Sequence, residues 1–320
     1  MNSDIGHTLK RNAINIGVNS IVAVLIALIS AFFILAFFWD RHLEITHTTI
    51  ELVCIYIELT AFSIIWNTYD RNTTVNHIIG FGFLIVGIFD VIHVYFHLFL
   101  PPGSMAVAQL APYYSTAGRV AEAILLLAVS FDVLKVRINR WLWIIISLAF
   151  TLAASLYIYY SLDIWSYLNI NNVLPSVKIV IEYSMLAAYV VCALKLKGQI
   201  LNREIITYKY IFISVLICIP AGMVAILGNV SFGISGVLEH VLKLCSSYYL
   251  YRGLFVSAIT YSYEKLEENS EHIESVLNAL PIGIITYGAD QKVNFANTRF
   301  EELMGCSRKF VCGFSPTEII

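Results

Sequence analysis

Charge is what this sequence of 320 residues has least of: Asp, Glu, Lys and Arg make up 13%, about half the share of a soluble domain. Acidic and basic residues nearly cancel to a net charge of −2, and no basic run is interleaved with aromatics. Nucleic acid and other polyanions are thereby excluded as partners. The six cysteines (Cys54, Cys192, Cys218, Cys245, Cys306, Cys312) form no CxxC pair and no disulfide framework, so they are expected to be reduced packing residues. CxxCH, HExxH, ATP-binding glycine boxes, a phospho-acceptor helix and GGDEF are all missing. What remains is apolar, with 58% hydrophobic residues and a mean hydropathy of +0.75, the composition of a membrane protein.

A helix needs about 20 apolar residues to cross a hydrocarbon core. Eight segments qualify: 18–38, 47–68, 77–100, 112–134, 141–160, 175–195, 208–228 and 236–257. The first is too long for a signal-peptide core and lacks a small-residue cleavage site, so it reads as an anchor. Lys10, Arg11, Arg71, Lys135, Arg137, Arg140, Lys195, Lys197, Arg203 and Lys209 fall in alternate loops, whereas the other loops carry little beyond Arg41. The bias predicts a multi-pass inner (cytoplasmic) membrane protein with both termini in the cytoplasm. Trp39, Trp66, Trp141, Trp143 and Trp165 sit near the expected interfaces, as an aromatic belt would.

Past residue 257 the composition turns charged. Ile259, Tyr263, Leu266, Ser270, Ile273, Leu277 and Leu280 alternate by four and three, a short heptad seam over 258–280. It predicts either a parallel homodimeric coiled coil or one amphipathic helix lying on the next domain. From Pro281 the runs Ile282–Tyr287 and Val293–Phe295 flank a GADQK turn, the pattern of a β-hairpin, and an amphipathic segment follows over Asn297–Met304.

The ionisable residues inside the spans are the informative ones. Even on the lenient insertion scale a charge at mid-bilayer costs about 2.5–3.5 kcal/mol, so it faces the bundle interior, a partner or a wet cavity. His47, Glu51 and Glu58 share a face of the second span, and Asp90, His93 and His97 one of the third, in the run DVIHVYFHLFLPP. Arg119 and Glu122 lie on the fourth, Lys178 and Glu182 on the sixth, Glu239, His240 and Lys243 on the eighth. At 1.5 Å per residue, most of these groups fall about 5–15 Å below the outer surface. They predict one outward-facing polar pocket in which Arg119 and Lys243 neutralise acids, with Asp90 and Glu122 as the expected partners. Its contents stay open: a small molecule or ion, a metal held by His47, His93 and His97 with Asp90 and Glu51 nearby, haem between two histidines, or only an interhelical network.

The stretches HTTIE, DVIH, GRVAEA and LEHVLKLCSSYYLYRGL resemble the third type of membrane-associated sensor domain over about residues 15–258. The resemblance implies an N-terminal input module of a histidine kinase or diguanylate cyclase. It also implies that His47, Glu51, Asp90, His93, Arg119, Glu122 and Lys243 are characteristic positions of that family. ESVLNALPIGIITYGADQKVNFANTRFEELMGCS is similar to the opening of a PAS domain, with Asn297 after its second strand and Gly305 after its first helix. About forty residues are present of the hundred or so such a domain needs. The chain is thus expected to be a piece of a longer sensor or the product of a truncated gene.

The expected architecture is therefore an all-α polytopic membrane domain of eight transmembrane helices (1–257), a coiled-coil signalling helix (258–280) and an incomplete α+β PAS domain (281–320). The leading function is a sensor in which His47, Glu51, Asp90, His93, His97, Arg119, Glu122, Glu239 and Lys243 bind or transmit the signal. Its output is a cytoplasmic domain, most readily the kinase of a two-component system. A transporter or channel is the alternative, against which stand the missing inverted repeats and the charge-poor inner leaflet. An intramembrane enzyme is the third, and no nucleophile–base pairing supports it.

Overall fold

In a bilayer a backbone has no water to bond, so the apolar runs fold as helices. The structure, a computed structural model, describes residues 22, 25–26, 28–34, 37–38, 42–99, 110–134, 138–161, 174–202, 206–227, 234–288 and 290–314. It divides into two compact units, Met1–Ala258 and Ile259–Ile320. The long helices are α1 (Leu43–Asn67), α2 (Thr74–Phe99), α3 (Leu110–Ser130), α4 (Arg140–Tyr160), α5 (Leu174–Asn202), α6 (Ile206–Leu227) and α7 (Ile234–Ala279).

Among the described residues, five stretches are long and apolar enough to cross a membrane: Glu44–Asn67, Thr74–Leu98, Arg140–Tyr160, Val177–Ile200 and Thr207–Ile226. The expected first span, 18–38, lies mostly outside the described residues. Arg119 and Glu122 among Tyr, Ser and Thr make α3 less apolar, and Glu239 and Lys243 do the same for the start of α7.

The first unit is built around α2. Its most apolar window is 67% buried, against 22% for α4 and α5, which turn most of their apolar surface outward as lipid-facing helices do. Phe81, Phe83 and Ile65 fill the core between α1, α2 and α3, with Cys192, Tyr208 and Leu254 reaching it from α5, α6 and α7. Trp143, expected in an interfacial belt, is instead buried and stacked on Phe81 at 5.5 Å, while Trp141 stays exposed. Polar side chains along α1 do not need outside partners: Thr49, Thr60 and Ser63 each donate to the carbonyl four residues back. None of the six cysteines is in a disulfide.

Toward one end of the bundle, Asn76 joins three helices. Its amide donates to Ser257 Oγ on α7 at 2.9 Å, and its carbonyl accepts from Thr207 Oγ1 on α6 at 3.0 Å. Nearby, the rings of Tyr69 and His77 stack at 4.0 Å, and His77 Nε2 bonds the Tyr69 carbonyl.

In the second unit, β1 (Ile285–Tyr287) and β2 (Val293–Ala296) form the expected antiparallel hairpin, followed by α8 (Thr298–Met304) and α9 (Arg308–Val311). Asn297 organises it. Its carbonyl oxygen accepts from Phe300 N and Ile284 N, capping α8, and its amide donates to the carbonyls of Leu277 and Ile282. All the bonding capacity of this buried side chain is used. Gly305 ends α8 at φ 64°, where a side chain would strain the backbone. Asn297→Ala should therefore destabilise this unit by about 2–3 kcal/mol, from the lost cap and the stranded backbone groups. Hydrogen exchange at the Ile284 and Phe300 amides reads the effect directly, and unchanged protection there would refute it.

Candidate functional site

Helices that alternate in direction bring the start of α1, the end of α2, the starts of α3, α5 and α7 and the end of α6 to one end of the first unit. The buried charges cluster there. Glu51 and Asp90, each 1% exposed, approach from α1 and α2 and share the ammonium of Lys243 on α7. The distances are 2.9 Å to Glu51 Oε2 and 2.7 Å to Asp90 Oδ2. Gly118 on α3 leaves room for this, since a Cβ there would lie 3.3 Å from Asp90 Oδ1. Small residues are what let membrane helices come this close.

Arg119 on α3 makes the second node. Its guanidinium grips Glu182 on α5 through two parallel bonds of 2.8 and 2.7 Å, and Nη1 also lies 3.0 Å from Glu239 on α7. A planar fork meeting a carboxylate is the strong form of this pair. Between the nodes Ser246 Oγ bonds Glu122 at 3.4 Å and meets Ser214 and Cys218 of α6 at 2.7 and 3.0 Å. A cavity of about 30 Å³, room for about one or two waters, opens among Glu51, Arg119, Glu122, His240 and Lys243. Glu58, two turns further along α1, is fully buried with neither carboxyl oxygen hydrogen-bonded among the described residues.

Beside the first node stands a group of imidazoles. The His47 ring lies 5.7 Å from His93, 4.7 Å from His97 and 4.6 Å from His240. His240 Nδ1 is 3.5 Å from Glu51 Oε1. His93 Nδ1 bonds the carbonyl of Ala111 at 2.7 Å, while its buried Nε2 has no hydrogen-bond partner among the described residues. One ligand atom each from His47, Glu51 and His93 lies within 4.8 Å of the others.

All nine expected site residues are thus at this end, but the pairing differs from the expected one. Lys243 does neutralise Asp90. Arg119 takes Glu182 and Glu239 rather than Asp90 or Glu122, and Glu122 bonds a serine instead. Glu182 pairs with Arg119 rather than with Lys178 four residues before it, and Glu239 and Lys243 each pair with another helix, because a buried acid gains more from a fixed guanidinium or ammonium across the interface than from a flexible neighbour. His97 is the exposed edge of the group. Glu182 and His240, expected in the pocket but not among the nine site residues, complete the network, and Ser246, Ser214 and Cys218 join it unforeseen. His240 and Glu182 carried the signal of an ionisable group in a span; the serines and Cys218 carried none.

Of the comparisons with known proteins, one is positive: the family model MASE3, described as a membrane-associated sensor domain, matches residues 39–261. No curated protein and no solved structure matches.

Proposed function

The chain belongs to the MASE3 family of membrane-associated sensor domains, and from that premise we propose that the buried polar cluster is its input site and α7 its output rod. A membrane sensor domain is the input side of signal transduction. The observation that carries the rest is the position of α7. One helix holds Glu239, His240, Lys243 and Ser246 against α1, α2, α3 and α6, and the same helix continues to Ala279. A signal that rearranges the Lys243 or Arg119 node moves a residue of that helix, and Asn76–Ser257 is a second grip on it.

In this reading the chain crosses the inner membrane eight times with both termini in the cytoplasm, and the cluster opens outward. Residues 258–280 pair with those of a second copy. The apolar seam supports this, since Leu266 and Ile273 are 66% and 59% exposed in one chain and a partner helix would cover them. Residues 281–320 begin a PAS domain, which the hairpin and the Asn297-capped helix support. A histidine kinase is the output that such an arrangement serves best.

Helical coupling has a register. Inserting one or two residues after Glu268 rotates everything downstream by about 100° or 200°, whereas seven residues restore the seam. In a chimaera with a kinase output, one- and two-residue insertions should change resting autophosphorylation and a heptad insertion should return it toward the parent level. Identical output from all the insertions would show that α7 does not carry the signal.

A further inference from the structure

The reading of the cluster as an input site leaves the chemistry of its ligand to be assigned, and the imidazoles beside Glu51 assign it. We infer that His47, Glu51 and His93 form a binding site for a late first-row divalent transition-metal cation, with His97 and His240 placed to complete its coordination. The inference rests on the sensing reading for its purpose but not for its geometry.

Four observations carry it. The first is the donor set: two imidazoles and a carboxylate whose ligand atoms lie within 4.8 Å of one another. Ligands held about 2.0–2.2 Å from a tetrahedral ion stand about 3.4 Å apart, so side-chain adjustments of about an ångström close the site. The second is the state of His93. Its Nδ1–H donates to the Ala111 carbonyl, which fixes the tautomer and leaves the Nε2 lone pair inside the protein with nothing among the described residues to accept from. His93 is 7% exposed, so no bulk water relieves that atom. An imidazole tethered through one nitrogen with the other bare is how metal-ligating histidines are oriented.

Third, three imidazoles from two other helices, His93, His97 and His240, gather around His47 at 4.6–5.7 Å. Mutual ring packing gives little reason to gather such polar groups, whereas a shared cation can take one nitrogen from a ring. Fourth, the cluster is short of positive charge. Among the described residues, the cations paired with Glu51, Asp90, Glu182 and Glu239 are Arg119 and Lys243, and Glu58 and Glu122 lie in the same cluster. A dication beside Glu51 offsets part of that excess, and Lys243 on the other oxygen orients the carboxylate as an outer partner. Imidazole with one carboxylate selects Ni, Cu or Zn over Mg or Ca.

The test uses the full chain purified in detergent without a histidine tag, stripped with a chelator and titrated with Co²⁺ as a visible stand-in for Zn²⁺. One Co²⁺ per chain should bind with d–d absorption bands and be displaced by Zn²⁺. Cu²⁺ in the same site should show hyperfine coupling to at least two imidazole nitrogens. His47→Ala and His93→Ala should each weaken Co²⁺ binding by more than the about 10–100-fold that loss of an outer partner costs. His272→Ala, exposed on α7 in the second unit, should leave it unchanged. A wild-type chain that binds no Co²⁺, or a Cu²⁺ spectrum without imidazole nitrogens, overturns the assignment even if every variant fails to fold. Those results would leave the sensing reading to the output measurement, which requires no metal.

Discussion

Lys243→Ala should cost about 3–5 kcal/mol, enough to unfold the first unit or leave it at a small fraction of wild-type yield. The reason lies in what is left behind. Glu51 and Asp90 are each 1% exposed and both contact the Lys243 ammonium, so its removal strands two carboxylates away from water. Replacing the whole set by neutral groups of similar shape, Lys243→Met with Glu51→Gln and Asp90→Asn, should recover most of the loss, because no uncompensated charge remains. An exposed pair gives the scale: Lys265 and Glu268 are 49% and 69% exposed at 2.7 Å, and Lys265→Ala should cost less than about 1 kcal/mol. Unfolding midpoints in one detergent compare the three variants. Equal, mild losses for Lys243→Ala and Lys265→Ala would show that Lys243 is not the buried counter-charge described here.

The sequence made some of this legible and the limits are physical. The membrane class and the five long apolar helices follow from runs that only a bilayer or a large core would bury. The convergence of Glu51, Asp90, His93, Arg119 and Lys243 could be read because helix rise converts sequence position into depth. Partner choice could not be read. Depth and face are properties of one helix, whereas the Arg119–Glu182 pair depends on which helices are neighbours and how each is rotated. The same limit hid Ser214 and Cys218, which sit on a span whose Lys209 lies toward the opposite end and marks no face beside them. Trp143 was misplaced for a related reason: a tryptophan near a helix end suits an interface, and only packing against Phe81 shows it turned inward. In the second unit the hairpin was legible because strand alternation and a turn are local signals. The fourfold bonding of Asn297 reaches back to Leu277 and is not local.

The second large effect is on signalling, and it separates an input site from a structural network. His93→Leu removes a polar group whose Nε2 is bare, so the membrane domain should insert and fold at least as well as the parent. Asp90→Asn keeps the shape at the Lys243 node while removing a charge. If the cluster sets the position of α7, both changes shift the balance between output states by the 1–3 kcal/mol typical of coupled sites. The direct measurement is resting autophosphorylation of a kinase fused behind residue 320, with membrane insertion and yield checked for each variant and Ile145→Ala, a 61% exposed position on α4, as control. His93→Leu and Asp90→Asn should each change that output about fivefold or more while Ile145→Ala leaves it unchanged. Well-inserted His93→Leu and Asp90→Asn proteins whose output matches the parent would contradict the account, and the cluster would then be packing.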